Sequence, residues 1–152
     1  MNYWLMKTEP DAYSIDDLRR DKKTLWDGIR NYQARNFMMR DMKVNDTVLI
    51  YHSNCKEPAI VGEGVITATA VPDPSQFNLQ SQYYDPRSDP QNPRWHCVTV
   101  KYKSTYKTPI TLATLRKTKS LQTMLILRPG NRLSITPVKK AEYQLIIKKV
   151  LK

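Results

Sequence analysis

Apolar residues in this chain crowd into short runs separated by polar, proline-containing stretches, and the spacing inside each run predicts its element. Asn2 to Lys7 reads as an opening strand, ended by Pro10. Ser14 ahead of Ile15-Asp16-Asp17-Leu18 offers a cap residue and first-turn acids, so a short helix ending near Arg20 is expected. Thr24 to Arg30, with Trp26 and Gly28, leads to Asn31. Asn31 can cap a helix from about Tyr32 to Arg40 with Ala34, Phe37 and Met38 on one side. Asp46 to Ser53 and Ala59 to Val71 are rich in Val, Ile, Thr and Tyr, predicting two strands joined by a turn at Asn54 to Pro58. Gly62 and Gly64 mark a bulge or a close approach of backbones.

Pro72 to Pro93 breaks the periodicity with five prolines, Tyr83, Tyr84 and Asp85. Loops longer than about 12–15 residues in compact domains are usually functional or disordered, and the aromatics argue against plain disorder. Trp95 to Tyr106 then alternates, with Val98, Val100 and Tyr102 on one face and Cys97, Thr99, Lys101 and Lys103 on a wet one. Thr111 opens a short helix through Arg116, and Arg132 to Thr136 reads as a strand. Thr136-Pro137 places a cap residue before a proline at the first helical position, so a terminal helix should start there. Five or six strands, largely antiparallel, with three to five short helices give an α+β class: a small curled sheet or barrel with helical decorations. With no repeat and no Gly/Ser-rich linker, residues 1–152 read as a single domain.

Composition is globular, at 40% hydrophobic and 26% charged, and no apolar run approaches the about 20 residues of a membrane helix. No membrane partner is expected. No basic leader or cleavage pattern follows Met1, and two distant cysteines suit a reducing compartment, so a cytoplasmic location is expected. The formal charge of +11 is uneven. Residues 1–98 hold 12 basic and 13 acidic side chains, whereas residues 99–152 hold 13 basic residues and Glu142 alone. A smaller basic stretch, Arg19 to Lys43, has eight basic residues against three acids. A one-signed field of this kind favours a polyanion, and nucleic acid is the leading partner; scattered lysines that merely solvate the surface are the plainer alternative.

Candidate chemistry is thinner for catalysis than for binding. His52, Cys55, His96 and Cys97 form two close pairs of metal-ligand types. On a strand His96 and Cys97 point to opposite faces, and the paired Cys-x-x-Cys spacing is missing, so no metal and no cofactor are expected. No serine elbow, phosphate-cradling glycine loop or HExxH sequence occurs. Lys7 and Glu9 could share a face as an acid/base pair, but such pairs are more often surface ion pairs, and no nucleophile, base and orienter come together. A non-enzymatic role is therefore expected. Trp26, Arg30, Asn31 and Asn36 gather at the strand-to-helix junction, supplying an aromatic face, a cation and two amides. Such groups hold unpaired bases, with stacking contributing about 1–3 kcal/mol per base. Tyr51-His52-Ser53 ends a strand with polar-tipped side chains, and Trp95 follows the aromatic loop. Buried core roles for the tryptophans remain the alternative.

Several long segments carry a specific likeness: Tyr3 to Pro10, Trp26 to Asn36, Tyr51 to Asn54, Tyr83 to Asp85, Pro93 to Trp95 and Arg132 to Ser134. Across nearly the whole chain they resemble the EVE domain of the PUA-like superfamily, and in particular the small EVE proteins related to the thymocyte nuclear protein family. The resemblance implies a PUA-like pseudobarrel whose pocket suits a modified nucleobase. On it, Trp26 and Trp95 would line or support the pocket, with Arg30, Asn31 and Asn36 as polar contacts. His52, Ser53 and Ser134 would complete the wall, and Lys7, Thr8 and Glu9 would sit at the rim. Eukaryotic members carry a long basic N-terminal extension without counterpart here, which again suits a compact bacterial cytosolic protein.

The expected function is a reader that accepts an extruded or single-stranded base carrying a methyl or hydroxymethyl group. The basic C-terminal third, through Lys101, Lys103, Arg128 and Arg132, would contact phosphates of DNA or RNA. Two other readings stay open: an enzyme acting on a modified nucleoside or small amide through Lys7 and Glu9, and a sequence-independent RNA-associated module.

Overall fold

The computed structural model describes residues 1–150, and its core follows from strands that are apolar on both faces. β1 (Tyr3–Thr8) and β3 (Thr47–His52) pair in parallel, Tyr3 opposite Thr47 and Thr8 opposite His52. Along them, Trp4, Met6, Val48 and Ile50 point to one side, while Leu5, Leu49 and Tyr51 point to the other. Near-continuous hydrophobic runs of this kind mark strands covered on both faces. Helix α1 (Ile15–Asp21) and the Ala34-Met38-Met42 ridge cover the first face. Helices α3 (Leu112–Lys117) and α4 (Lys140–Val150) cover the second with Leu115 and Ile146. Each fully buried Leu or Ile contributes roughly 1.5–3 kcal/mol.

The six-stranded sheet runs β2-β5-β4-β3-β1-β6, with β2 Lys23–Leu25, β4 Ala59–Pro72, β5 His96–Thr111 and β6 Ile135–Val138. All pairs but β1–β3 are antiparallel. β4 and β5 are long, and their register shifts at four places, which bends the sheet. At Gly62 a side chain would run into the Ser104 carbonyl oxygen, so the two backbones meet where only glycine fits, and Gly64 lies against Val100 and the Lys101 carbonyl in the same way.

Local capping signals hold well. Ser14 accepts from the Asp17 N–H, and Asp17 accepts in return from the Ser14 N–H, a reciprocal box at the start of α1. Asn31 accepts from the Ala34 N–H to open α2 (Tyr32–Asn36), and Thr111 does the same for α3. Five expectations need correction. The helix after Asn31 does not remain α to Arg40; from Phe37 to Asp41 it widens into a π turn, closed by the Met42 N–H donating to the Phe37 carbonyl. The strand after Trp95 runs on to Thr111, because β2 pairs only with Thr99 to Lys101 and leaves the outer side free where Pro109 sits. Cys97 is buried rather than on a wet face: the chain continues beyond β2 alongside it, with the Trp26 N–H bonded to the Val98 carbonyl, and Trp26 and Cys97 share one core cluster. Pro137 does not start a helix: it lies in the outermost strand β6, opposite Trp4, and α4 begins at Lys140. The predicted strand from Arg132 accordingly moves three residues on, to Ile135.

Candidate functional site

A cavity of about 440 Å³ opens where the end of β1, the residues after β2 and the Pro-rich loop converge. Lys7, Thr8 and Glu9 form one side, Tyr13 and Thr24 to Ile29 another, and Gln82 and Tyr83 a third. Trp26 is anchored by its backbone N–H, which donates to the Val98 carbonyl at 2.8 Å, and its side chain packs into the core beside Cys97, Val98 and Val100. It is therefore both core and cavity wall. Gly28 has φ +81°, and a Cβ there would stand 2.6 Å from the Tyr83 ring. The absence of a side chain at Gly28 thus lets Tyr83, 38% exposed, lie over the cavity wall.

The loop is held in place by one buried carboxylate. Asp73 accepts from the Gly28 N–H at 2.8 Å, from Arg30 at 3.1 Å, and from the N–H and hydroxyl of Ser75 at 2.8 and 2.5 Å. Burial alone would raise its pKa, but the Ser75 hydroxyl, the Gly28 N–H, Arg30 and the Ser75 N–H outweigh it and hold the carboxyl below the usual range. Buried Gln76 ties the same loop to Trp95, donating to the Trp95 carbonyl and accepting from its N–H. The Trp95 indole N–H donates to Asp85 at 2.8 Å.

Two charged groups on the cavity wall are uncommitted. Lys7 and Asp27 make no side-chain hydrogen bond or ion pair with another residue among the described residues. Burial lowers the Lys7 pKa from its ordinary value. Asp27 is solvent-exposed as a residue, yet surrounding protein desolvates its carboxyl and, with Asp73 adding repulsion, raises it above the ordinary carboxylate value. Glu9 instead accepts from the Asn54 amide at 2.5 Å, and Tyr13 donates to Asp21.

Of the residues singled out from sequence, Lys7, Thr8, Glu9 and Trp26 line this cavity. Arg30, Asn31, Asn36, His52, Ser53, Trp95 and Ser134 do not. Arg30 has all five N–H donors engaged, by Asp73, Ser75, the Ile29 carbonyl and, twice, the Tyr83 carbonyl. It braces the loop and lies over the rings of Tyr83 and Trp95 at 5.6 and 5.2 Å. The Asn31 oxygen caps α2, and the Asn36 oxygen accepts from Arg35. Ser53 and Ser134 buttress the cavity strand through backbone bonds, the Ser53 N–H to the Thr8 carbonyl and the Lys7 N–H to the Ser134 carbonyl. Lys101, Arg128 and Arg132 are exposed, and the Lys103 ammonium stands 3.5 Å from Glu63. Burial pushes the Cys97 thiol up to about 12, with Asp73 and Asp27 adding to the effect, so it stays protonated and a poor metal ligand. Among the described residues no group of three or more His, Cys, Asp or Glu is placed to hold a metal ion.

His52 is occupied in holding α1 to the sheet. Its Nε2 accepts from the Ile15 N–H at 3.0 Å, which requires a neutral ring with the proton on Nδ1. Burial lowers its pKa below 6.5, partly opposed by Asp16. As pH falls below 6.5 the unfolded chain binds a proton that the folded one refuses, so stability declines, at most by about 1.4 kcal/mol per pH unit, until the folded pKa is passed. The expected result is a urea midpoint that falls between pH 7.5 and 5.5 more steeply in the wild type than in His52→Gln. Parallel profiles would remove His52 from this role.

The sequence matches the family model described as the EVE domain over residues 2–149. Human thymocyte nuclear protein 1 is 39% identical over 164 aligned residues, covering 96% of this chain and 72% of the relative. A crystal structure of a Pseudomonas syringae protein superposes with a TM-score of 0.93 at 39% identity, covering 97% of this chain and 99% of the other. The structure of the human protein in complex with DNA containing 5-methylcytosine superposes with a TM-score of 0.92 at 37% identity, covering 100% and 99%.

Proposed function

The chain belongs to the EVE domain family, and on that footing we propose that it binds a nucleic acid strand, DNA first, by holding a modified base in the Trp26–Tyr83 cavity without turning it over. The supporting observation is the cavity itself. Three aromatic residues, Tyr13, Trp26 and Tyr83, line it, and of its charged groups the carboxylate of Asp27 and the ammonium of Lys7 have no protein partner among the described residues. Aromatic walls suit stacking at about 1–3 kcal/mol per base. A carboxylate accepts from the exocyclic amine of cytosine, and an ammonium donates to its ring acceptors. The human relative's complex with 5-methylcytosine-containing DNA makes a methylated cytosine the first base to test. Burying one methyl group contributes about 0.8 kcal/mol, roughly four-fold in affinity, so the methyl adds a preference on top of the stacking and edge contacts.

Fluorescence anisotropy with otherwise identical single-stranded oligonucleotides carrying 5-methylcytosine, cytosine or an abasic site tests this reading. Binding should weaken in that order. Asp27→Ala should reduce affinity for the methylated strand by about 1–3 kcal/mol while leaving the urea midpoint in place, because Asp27 is exposed and has no protein partner. Equal affinity for all three strands would leave a sequence-independent module. One observation favours a second reading: Lys7 has a lowered pKa and shares the cavity with Glu9. A product formed from a modified-nucleoside digest, and lost in Lys7→Ala, would replace binding by catalysis.

A further inference from the structure

A second concavity, of about 570 Å³, lies between the π turn and the far end of the Pro-rich loop, and its chemistry is unlike that of the first. Arg35, Arg40, Arg87 and Arg94 line it against a single acid, Asp89. Two distant parts of the chain bring these cations together: the helix that runs from α2 into the π turn, and the loop. Within an α-helix single π turns are rare and concentrate at functional sites, and here the widened turn carries Arg40 into the wall. Gathering four like charges costs repulsion that the protein does little to offset. Arg94 has a distant partner in Asp85 at 3.7 Å, while Arg35 bonds only to neutral oxygens of Asn36 and Arg94. Arg40 and Arg87 make no side-chain hydrogen bond or ion pair among the described residues. A further wall residue, His96, has a buried Nδ1 without a protein partner.

The groove is joined to the base cavity by one run of stacked groups. The Arg35 guanidinium lies over Tyr32 at 4.7 Å, Tyr32 stacks on Trp95 at 4.9 Å, and Arg30 lies over both Trp95 and Tyr83. Tyr32 lines the groove and Tyr83 lines the cavity, so the two recesses flank a single braced unit. We propose that the arginine groove is a phosphodiester-binding site that takes the backbone of the strand whose base enters the cavity. The ligand class is an anionic nucleic acid backbone, and the proposal rests on the nucleic-acid reading above. Arginine suits it because its planar fork grips two phosphate oxygens at once.

The test is the salt dependence of binding to unmodified and 5-methylcytosine-containing single-stranded DNA by wild type, Arg40→Ala, Arg87→Ala, the double variant and the corresponding lysine variant. Each lost phosphate contact should lower the slope of log K against log salt by about 0.7, and the double loss by about 1.4. Both oligonucleotides should weaken by the same factor, and Arg40→Lys/Arg87→Lys should recover most of the slope. Both arginines are exposed, so folding is expected to be unchanged, which a urea titration verifies. A reduced slope with no methyl preference in the wild type would keep the groove and reject the base reading. An unchanged slope with the methyl preference intact would reject the groove alone. No binding of either strand would reject both.

Discussion

Asp73→Ala should destabilise the protein by about 3–5 kcal/mol. The carboxylate is 2% exposed and holds four donors, two of them backbone N–H groups and one the Arg30 guanidinium, itself only 22% exposed. Removing one member of a buried ion pair costs in this range, because the remaining charge and donors lose their partner without regaining water. The loss should also be local. Gly28 and Arg30 are held from the loop side by Asp73, so amide exchange should accelerate in residues 26–31 and 73–85 before it does in β3 or β4. The pH dependence has a definite sign. The folded carboxyl titrates below the ordinary 3.8, so its stabilising effect is complete above that pH and is lost as pH falls through the folded value. The gap between wild type and Asp73→Ala should therefore narrow in acid. An alanine variant as stable as the wild type at neutral pH would mean that the loop is held some other way.

Trp26→Ala should act twice. Trp26 is 7% exposed within the first core cluster, and truncating a buried tryptophan costs about 3–5 kcal/mol. The same change removes a cavity wall, so affinity for a modified-base strand should fall at least about ten-fold at temperatures where the variant remains folded. Tyr83→Ala separates the two effects. Its ring is partly exposed, and its contacts with Gly28 and Arg30 are worth about 0.5–1 kcal/mol, so folding should be almost intact while stacking is lost. If Tyr83→Ala binds the modified strand as the wild type does, the aromatic cavity is not where the base goes.

The elements that could be read from sequence are those whose determinants lie within a few residues. The Ser14, Asn31 and Thr111 caps and the apolar runs of β1, β3 and β4 are local statements, and each stands at or within a residue or two of its expected position. The burial of Cys97 under the segment that carries Trp26 and the strand placement of Pro137 opposite Trp4 depend on partners far along the chain. Arg30 illustrates the same limit at the site. An arginine beside a helix start suggests a ligand contact, but its partners Asp73, Ser75 and Tyr83 are 43 to 53 residues away and engage it fully. One signal pointed there: Asp73 between two prolines, with Ser75 two residues on, is an Asx-type cap, and the side chain does accept from the Ser75 N–H. Charge summed along the chain directs attention to the C-terminal third. The arginine groove instead draws on residues 35–94, and because only Asp89 among the acids of that stretch lines it, the −1 net charge of residues 1–98 hides it.

The two strands at the ends of the sheet, three-residue β2 and four-residue β6, differ from the long strands between them in more than position. β2 presents Lys23 on an exposed strand, and β6 interrupts its row of backbone donors with the exposed Pro137. A strand from a neighbouring molecule would find few free donors and acceptors along β2 or β6 themselves. Beyond Lys101 the outer side of long β5 has no strand beside it among the described residues, and there the exposed Lys103 and Lys107, with Pro109 lacking a backbone N–H, blunt the edge instead. Short strands at the ends and charged or proline-bearing edges thus work against pairing of one molecule's sheet with another's.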